Sequence, residues 1–206
     1  MREVSQSELK ELIADRGRAS RHITAIAGPP GSGKSFVADR LAHALNDRDP
    51  GSAAVFPMDG YHFDDAVLNA RGWRARKGAP HTFDVGGFAA MLARLRANDE
   101  AEIAVPVFDR NIEIARNAGR FIGQSVRHLI VEGNYLLFDR EPWRDLAFDT
   151  TVFLDVPLAE LERRLLKRWE SLPVEALREK LNENDLPNAK LVMEQRRPAD
   201  FVLRNV

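Results

Sequence analysis

The sequence contains no cysteine. Disulfides and cysteine-ligated metal sites are therefore excluded. Histidine is sparse, with five residues. Neither His62 nor His81 has a partner histidine at metal-ligand spacing, so no zinc site is expected. An excess of either charge is also missing: 30 Lys and Arg meet 31 Asp and Glu, for a formal net charge of -1. That balance argues against a general nucleic-acid or membrane-surface binder, which needs a basic excess. No apolar run is long enough to span a bilayer. The opening Met1-Arg2-Glu3-Val4-Ser5-Gln6 lacks the apolar stretch of a signal peptide. These absences lead to the expectation of a cytoplasmic protein with neither a membrane nor a nucleic acid as partner. Internal repeats and low-complexity segments are absent as well.

What the chain does have is 206 residues, 44% of them hydrophobic. That suffices for one domain over 1-206 with a real core. Its organising stretch is Gly28-Pro29-Pro30-Gly31-Ser32-Gly33-Lys34-Ser35, followed by Phe36. It fits G-x-x-x-x-G-K-[ST] at every required position. At ordinary residue frequencies, a chance match in a chain this long has odds on the order of 1%. The flanks agree. Ile23 to Ala27 is a short apolar run suited to a buried parallel strand, and Phe36 to Leu45 carries apolar residues at helical spacing. Glycines let the backbone curl so that successive N–H groups face phosphate oxygens. The helix beginning near Lys34 adds its unpaired N–H groups and the positive end of its dipole. Lys34 then serves as a mobile charge for β/γ-phosphates, and the Ser35 hydroxyl as a Mg²⁺ ligand. ATP and Mg²⁺ are the cofactors this chemistry implies.

The rest of the chain alternates strand and helix. A helix is expected from Ser5 to Arg18. A strand over Ala53–Met58 ends at Asp59. A long polar stretch from Asp59 to Asp84 precedes a helix over Val85–Ala97. A ribbon covers Glu102–Gly123, with Ile103, Val105 and Val107 alternating and a second arm over Ile112–Phe121. Strands over His128–Gly133 and Thr150–Val156 follow. Helices are expected over Leu158–Trp169, Val174–Asn184 and Asn188–Arg197, and a closing strand over Asp200–Asn205. This order implies a doubly wound α/β fold, a parallel sheet covered on both faces. The insertions about 59-84 and 103-123 belong above the carboxyl ends of the strands, where such sheets bind ligands.

Further residues carry chemistry. Glu132 ends an apolar strand and can hold Mg²⁺ beside the phosphate loop; a strand-end acid can also merely pair a surface lysine. Asp59 can orient a hydroxyl and accept its proton, or it can be an ordinary Asp-Gly turn residue. Arg164 and Arg168 share a helix face and can close over the phosphates; alternatively Glu160 simply pairs Arg164 on a solvated face. Arg110, after Phe108 and Asp109, can bind a polar or phosphorylated substrate or be a hairpin surface charge. Asp84 can be the cap of the helix that follows it.

These pieces together resemble the phosphoribulokinase/uridine kinase family of P-loop kinases, which includes bacterial pantothenate kinase. The matching segments are Gly28–Ser35, Phe56–His62, Gly78–Asp84, Pro106–Arg110 and Val131–Leu137. Glu183-Asn184-Asp185-Leu186-Pro187-Asn188-Ala189 resembles the branch described as fructose transport system kinases. The resemblance implies a three-layer α/β/α sandwich with a mainly parallel five-stranded sheet and a lid about 157-185. It implies that Asp59 is the catalytic base, Glu132 the Walker B acid, Ser35 the metal ligand, and Arg164 and Arg168 lid arginines beside Lys34. Tyr61, His62, His81, Phe108 and Arg110, with Asp59, fall on segments that would form the acceptor site. Family members commonly pair, so a homodimer is an expectation. Two departures stand out. Arg110 occupies a segment where a histidine is usual, and Phe108 stands where a tyrosine is usual; both changes touch the acceptor pocket. The expected activity is ATP-dependent phosphorylation of a hydroxyl on a small molecule, with a sugar such as fructose, a nucleoside or pantothenate as acceptor. A GTPase-type switch would carry Asn-Lys-x-Asp, which is absent. A transport-type ATPase would carry a glutamate directly after Glu132, where Gly133 stands.

Overall fold

The computed structural model describes residues 1–17 and 20–204. Eight strands and seven α-helices follow in chain order among these residues. The central sheet contains β1 (Arg2–Glu3), β2 (His22–Ala27), β3 (Ala53–Pro57), β6 (His128–Gly133), β7 (Thr150–Asp155) and β8 (Phe201–Arg204). Their order is β1-β8-β7-β2-β6-β3, and every pairing is parallel. The sheet has six strands where five were expected. The extra one, β1, is only two residues long, below what an alternating pattern can reveal.

Alternation along the strands splits the core into two layers. Ile26, Val55, Ile130, Val152 and Leu154 face α1 (Gln6–Ala14) and α2 (Lys34–Asn46), where Leu9, Ile13, Val37, Leu41 and Leu45 meet them. Ile23, Phe56, Leu129, Val131 and Phe153 face the other way. They are covered by α4 (Val85–Ala97), the hairpin of β4 (Glu102–Asp109) and β5 (Ile114–Gly123), and α7 (Leu186–Glu194). The result is the expected α/β/α arrangement. Between β3 and α4, the 59–84 insertion folds into α3 (Asp65–Ala70) and short 3₁₀ turns. Asp84 caps α4 by accepting from Gly87 N–H.

Local chemistry explains where boundaries differ from the sequence pattern. α1 starts after Ser5, which forms a reciprocal capping box with Glu8. It ends at Ala14, before Gly17 at φ +73°, so it is shorter than the expected span; Arg18 lies outside the described residues. β8 covers Phe201–Arg204, and Asn205 also lies outside them. α5 (Leu158–Arg168) stops one residue short of Trp169, which turns toward the cleft instead of extending the buried Leu161–Leu165 stripe. α6 (Val174–Glu179) runs into a π-helical turn over Lys180–Asp185 and then directly into α7. That wider turn places Asp185 and Asn188 on the cleft wall. No helix among the described residues is long and apolar enough to cross a membrane.

Candidate active site

The cleft lies above the carboxyl ends of β2, β3 and β6 and has a volume of about 430 Å³. Its floor is the β2–α2 loop. Gly33, at φ +86°, is the N-terminal cap of α2 and has no side chain to block the first-turn N–H groups. Lys34 is buried and donates from Nζ to the Pro29 carbonyl at 3.0 Å. Burial pushes its pKa down to about 8, while Glu132 and Asp59 act in the opposite direction. An anion in the loop would restore the charge that burial disfavours.

Glu132 reaches the floor through strand register. It pairs with Ile26 of β2 on one side and Pro57 of β3 on the other. Its side chain shares the α2 face with Ile130, and Ser35 Oγ, one residue into the helix after Lys34, donates to Glu132 Oε1 at 3.2 Å. Burial first, and then the Asp59 carboxylate, raise the Glu132 pKa to about 7 against the pull of Lys34. Asp59 follows β3 directly. Its approach depends on Gly133: a Cβ there would meet Met58 Cβ at 2.6 Å. Gly60 plays the same part toward the hairpin, since its Cβ would meet the Pro106 carbonyl oxygen at 2.7 Å. Two missing side chains thus let Asp59 sit between Glu132 and the hairpin. There Arg110 Nη2 lies 3.3 Å from Asp59 Oδ2.

Ser35 and Glu132 offer hard oxygen donors of the type Mg²⁺ takes. The raised Glu132 pKa fits such an ion, because a dication beside it would offset the repulsion from Asp59. From the opposite side come α5 and the π-helical turn. Arg168 lines the cleft with its guanidinium 4.9 Å over the Trp169 ring, and its pKa is lowered by burial and then by Arg110. Arg164 also lines the cleft, and its Nε donates to Glu160 at 2.6 Å, the pairing that the helix spacing allowed.

The other half of the cleft is framed by His62, Lys77, Phe108, Arg110 and Glu113. His62 is held between Phe83 and Phe108 at ring distances of 4.1 and 4.7 Å, with Nδ1 2.8 Å from the Asp59 carbonyl oxygen. Burial lowers its pKa, favouring the neutral ring. Two expected site residues stand elsewhere. Tyr61 is in the core, 5.2 Å from Phe88 and 5.9 Å from Phe56 by ring centroids, because the 3₁₀ turn after β3 points it inward. His81 is exposed, against Trp73 rather than the cleft. Eight cleft residues had no site role in the sequence pattern: Lys77, Gly78, Glu113, Asn134, Trp169, Lys180, Asp185 and Asn188. Asn134 was signalled by its place right after Glu132-Gly133, and Asp185 and Asn188 by the Glu183–Ala189 segment.

No family model matches the chain. Sequence comparison is decisive: the chain is 31% identical over 197 residues to the Schizosaccharomyces pombe protein named "Putative uridine kinase C227.14", across 90% of this chain and 84% of that one. The chain belongs to the uridine kinase-like family of P-loop kinases. The kinase is also 32% identical over 176 residues to the pantothenate kinase of Streptomyces coelicolor, across 80% of its own length and 53% of that relative. It therefore spans about half of the pantothenate kinase. A solved structure described as a "putative fructose transport system kinase" from Silicibacter sp. TM1040 superimposes with a TM-score of 0.88 at 39% identity, over 97% of the kinase and 98% of that chain. The kinase is accordingly a phosphotransferase acting on the hydroxyl group of a small molecule.

Proposed function

We propose that the protein transfers the γ-phosphate of ATP to a hydroxyl of a sugar. The observation that carries this reading is the convergence of Lys34, Asp59 and Glu132 on one cleft, with Arg168 opposite. The β2–α2 loop and the α2 N-terminus cradle the triphosphate. Lys34, Arg164 and Arg168 meet the charge that spreads over the equatorial oxygens during transfer. Asp59 orients the acceptor hydroxyl and takes its proton as the new O–P bond forms and the bond to the β-phosphate oxygen breaks, leaving ADP. Ser35 and Glu132 would hold Mg²⁺, which would supply positive charge to offset the negative charge of the phosphates.

The sugar acceptor is supported by the 39% identity to the protein described as a fructose transport system kinase. A nucleoside acceptor is the second reading, favoured by the relative named as a uridine kinase. Phosphorylation of hexoses, nucleosides and pantothenate, read by mass spectrometry, separates the two. Asp59→Asn should leave ATP binding intact by calorimetry and cut turnover by about 100-fold or more. Full activity in that variant would overturn the assignment of the base.

A further inference from the structure

Two cations of the cleft, Lys77 and Arg110, already face carboxylates. Lys77 is 5% exposed, and its Nζ donates to Asp65 Oδ1 at 2.7 Å and to the Glu113 carbonyl. Arg110 faces Asp59 at 3.3 Å. A phosphate or carboxylate on the acceptor would have to share Lys77 with Asp65, which Arg74 also holds at 2.7 Å. Otherwise it would have to draw Arg110 from Asp59 and leave that carboxylate facing Glu132. Either way the ligand competes with a carboxylate that already faces the cation. Lys34 on the phosphate loop and Arg168 across from it stand where the nucleotide's own negative charge needs them.

Hydrogen-bond acceptors tell the complementary story. Asn184 Nδ2 donates to the Lys77 carbonyl at 2.8 Å, so its amide oxygen faces the other way. Asn188 Nδ2 fills that oxygen at 3.1 Å. The orientation of the second amide follows from the first, and it leaves Asn188 Oδ1 as a buried oxygen with no partner in a residue 2% exposed on the cleft wall. An unmatched buried acceptor favours a ligand that brings an O–H or N–H donor. Glu113 and Asp185 add carboxylates to the cleft lining.

We infer that the phosphate acceptor is an uncharged polyhydroxyl compound, one hydroxyl of which donates to Asn188 Oδ1, rather than a sugar phosphate or a sugar acid. This rests on the hydroxyl-kinase reading above and narrows it.

The test offers the full chain ATP, Mg²⁺ and matched sets of hexoses and pentoses, their monophosphates, the corresponding aldonic acids, and uridine. The expected result is that kcat/KM for the best uncharged compound exceeds that for its phosphate or acid counterpart by about 100-fold or more, on the scale at which a site built for neutral donors rejects a misfit. A sugar phosphate or acid as the best substrate, or no product from any uncharged compound, overturns the inference. Uridine as the best substrate would sink the sugar reading and leave the uncharged acceptor standing. Asn188→Leu should raise the acceptor KM at least tenfold with ATP affinity and kcat within about twofold. An unchanged acceptor KM in that variant removes Asn188 from the role.

Discussion

Ser35 Oγ donates to Glu132 Oε1 across 3.2 Å, tying the first turn of α2 to the end of β6. The same carboxylate faces Asp59, and its pKa stands raised to about 7 by burial and that neighbour. A carboxyl whose folded pKa exceeds its unfolded value of 4.5 costs stability as pH rises through that window, because the folded state holds the proton longer. Glu132→Gln removes the charge and keeps an oxygen for Ser35. The melting temperature of the nucleotide-free protein at pH 8 should therefore rise, while turnover falls by about 100-fold or more. Scanning calorimetry on both proteins checks it; a lower melting temperature contradicts the assignment.

Gly133 lets Met58 and Asp59 approach Glu132 where a Cβ would sit 2.6 Å from Met58 Cβ. Gly133→Ala should push the Asp59 turn outward. Misplacement of this order costs up to about 100-fold in rate, and overpacking costs about 1–3 kcal/mol. Steady-state kinetics and denaturant titration measure the two effects separately. Wild-type turnover in the alanine variant would show that the close approach is dispensable.

Arg21 is 4% exposed and donates to three carbonyls, those of Leu95, Gly123 and Val126, each at 2.7 Å. It thereby pins the end of α4 and the end of β5 to the entry of β2. Arg21→Met should leave those oxygens unmatched and lower stability by about 2–4 kcal/mol. Arg21→Lys should recover only part, since a compact ammonium cannot span three acceptors. Urea denaturation checks the order wild type, Lys, Met.

Three buried or half-buried histidines have lowered pKa values: His22, His62 and His128, each chiefly through burial. Their unfolded forms take up protons first as pH falls through about 6.5. Stability should accordingly drop below pH 6.5, continuing down through the depressed folded-state values. Glu132 contributes with the opposite sign in part of that range, so the histidine effect should be steeper in Glu132→Gln. Chemical denaturation midpoints at pH 5.5, 6.5 and 7.5 read this out, and replacing His128 with Gln should flatten the slope.

Much of the fold was legible because its signals are local. Gly28–Ser35 declared a strand, a loop and a helix at once, and His128–Gly133 declared a strand ending in an acid. What the pattern could not supply was direction. Tyr61 and His62 are neighbours in the Asp59–His62 segment, yet the 3₁₀ turn sends one into the core and keeps the other on the cleft. Lys77 looked like a loop lysine. Its role emerges only where α3 and the hairpin meet around it, a contact between residues far apart in the chain. The π-helical turn over Lys180–Asp185 was invisible for a similar reason: its residues read as helix, and only the wider winding brings Asp185 and Asn188 onto the cleft wall.

The Lys77 and Gly78 carbonyls accept from Asn184 on the far side of the cleft and from Tyr135 beneath it, at 2.8 and 2.7 Å. The 59–84 loop, the π-helical turn and the β6 exit are thus stitched into a single tailored piece. Anyone retuning this scaffold for a new acceptor by swapping residues 59–84 alone would cut those stitches, so the loop and the Asn184–Asn188 turn have to be transplanted together.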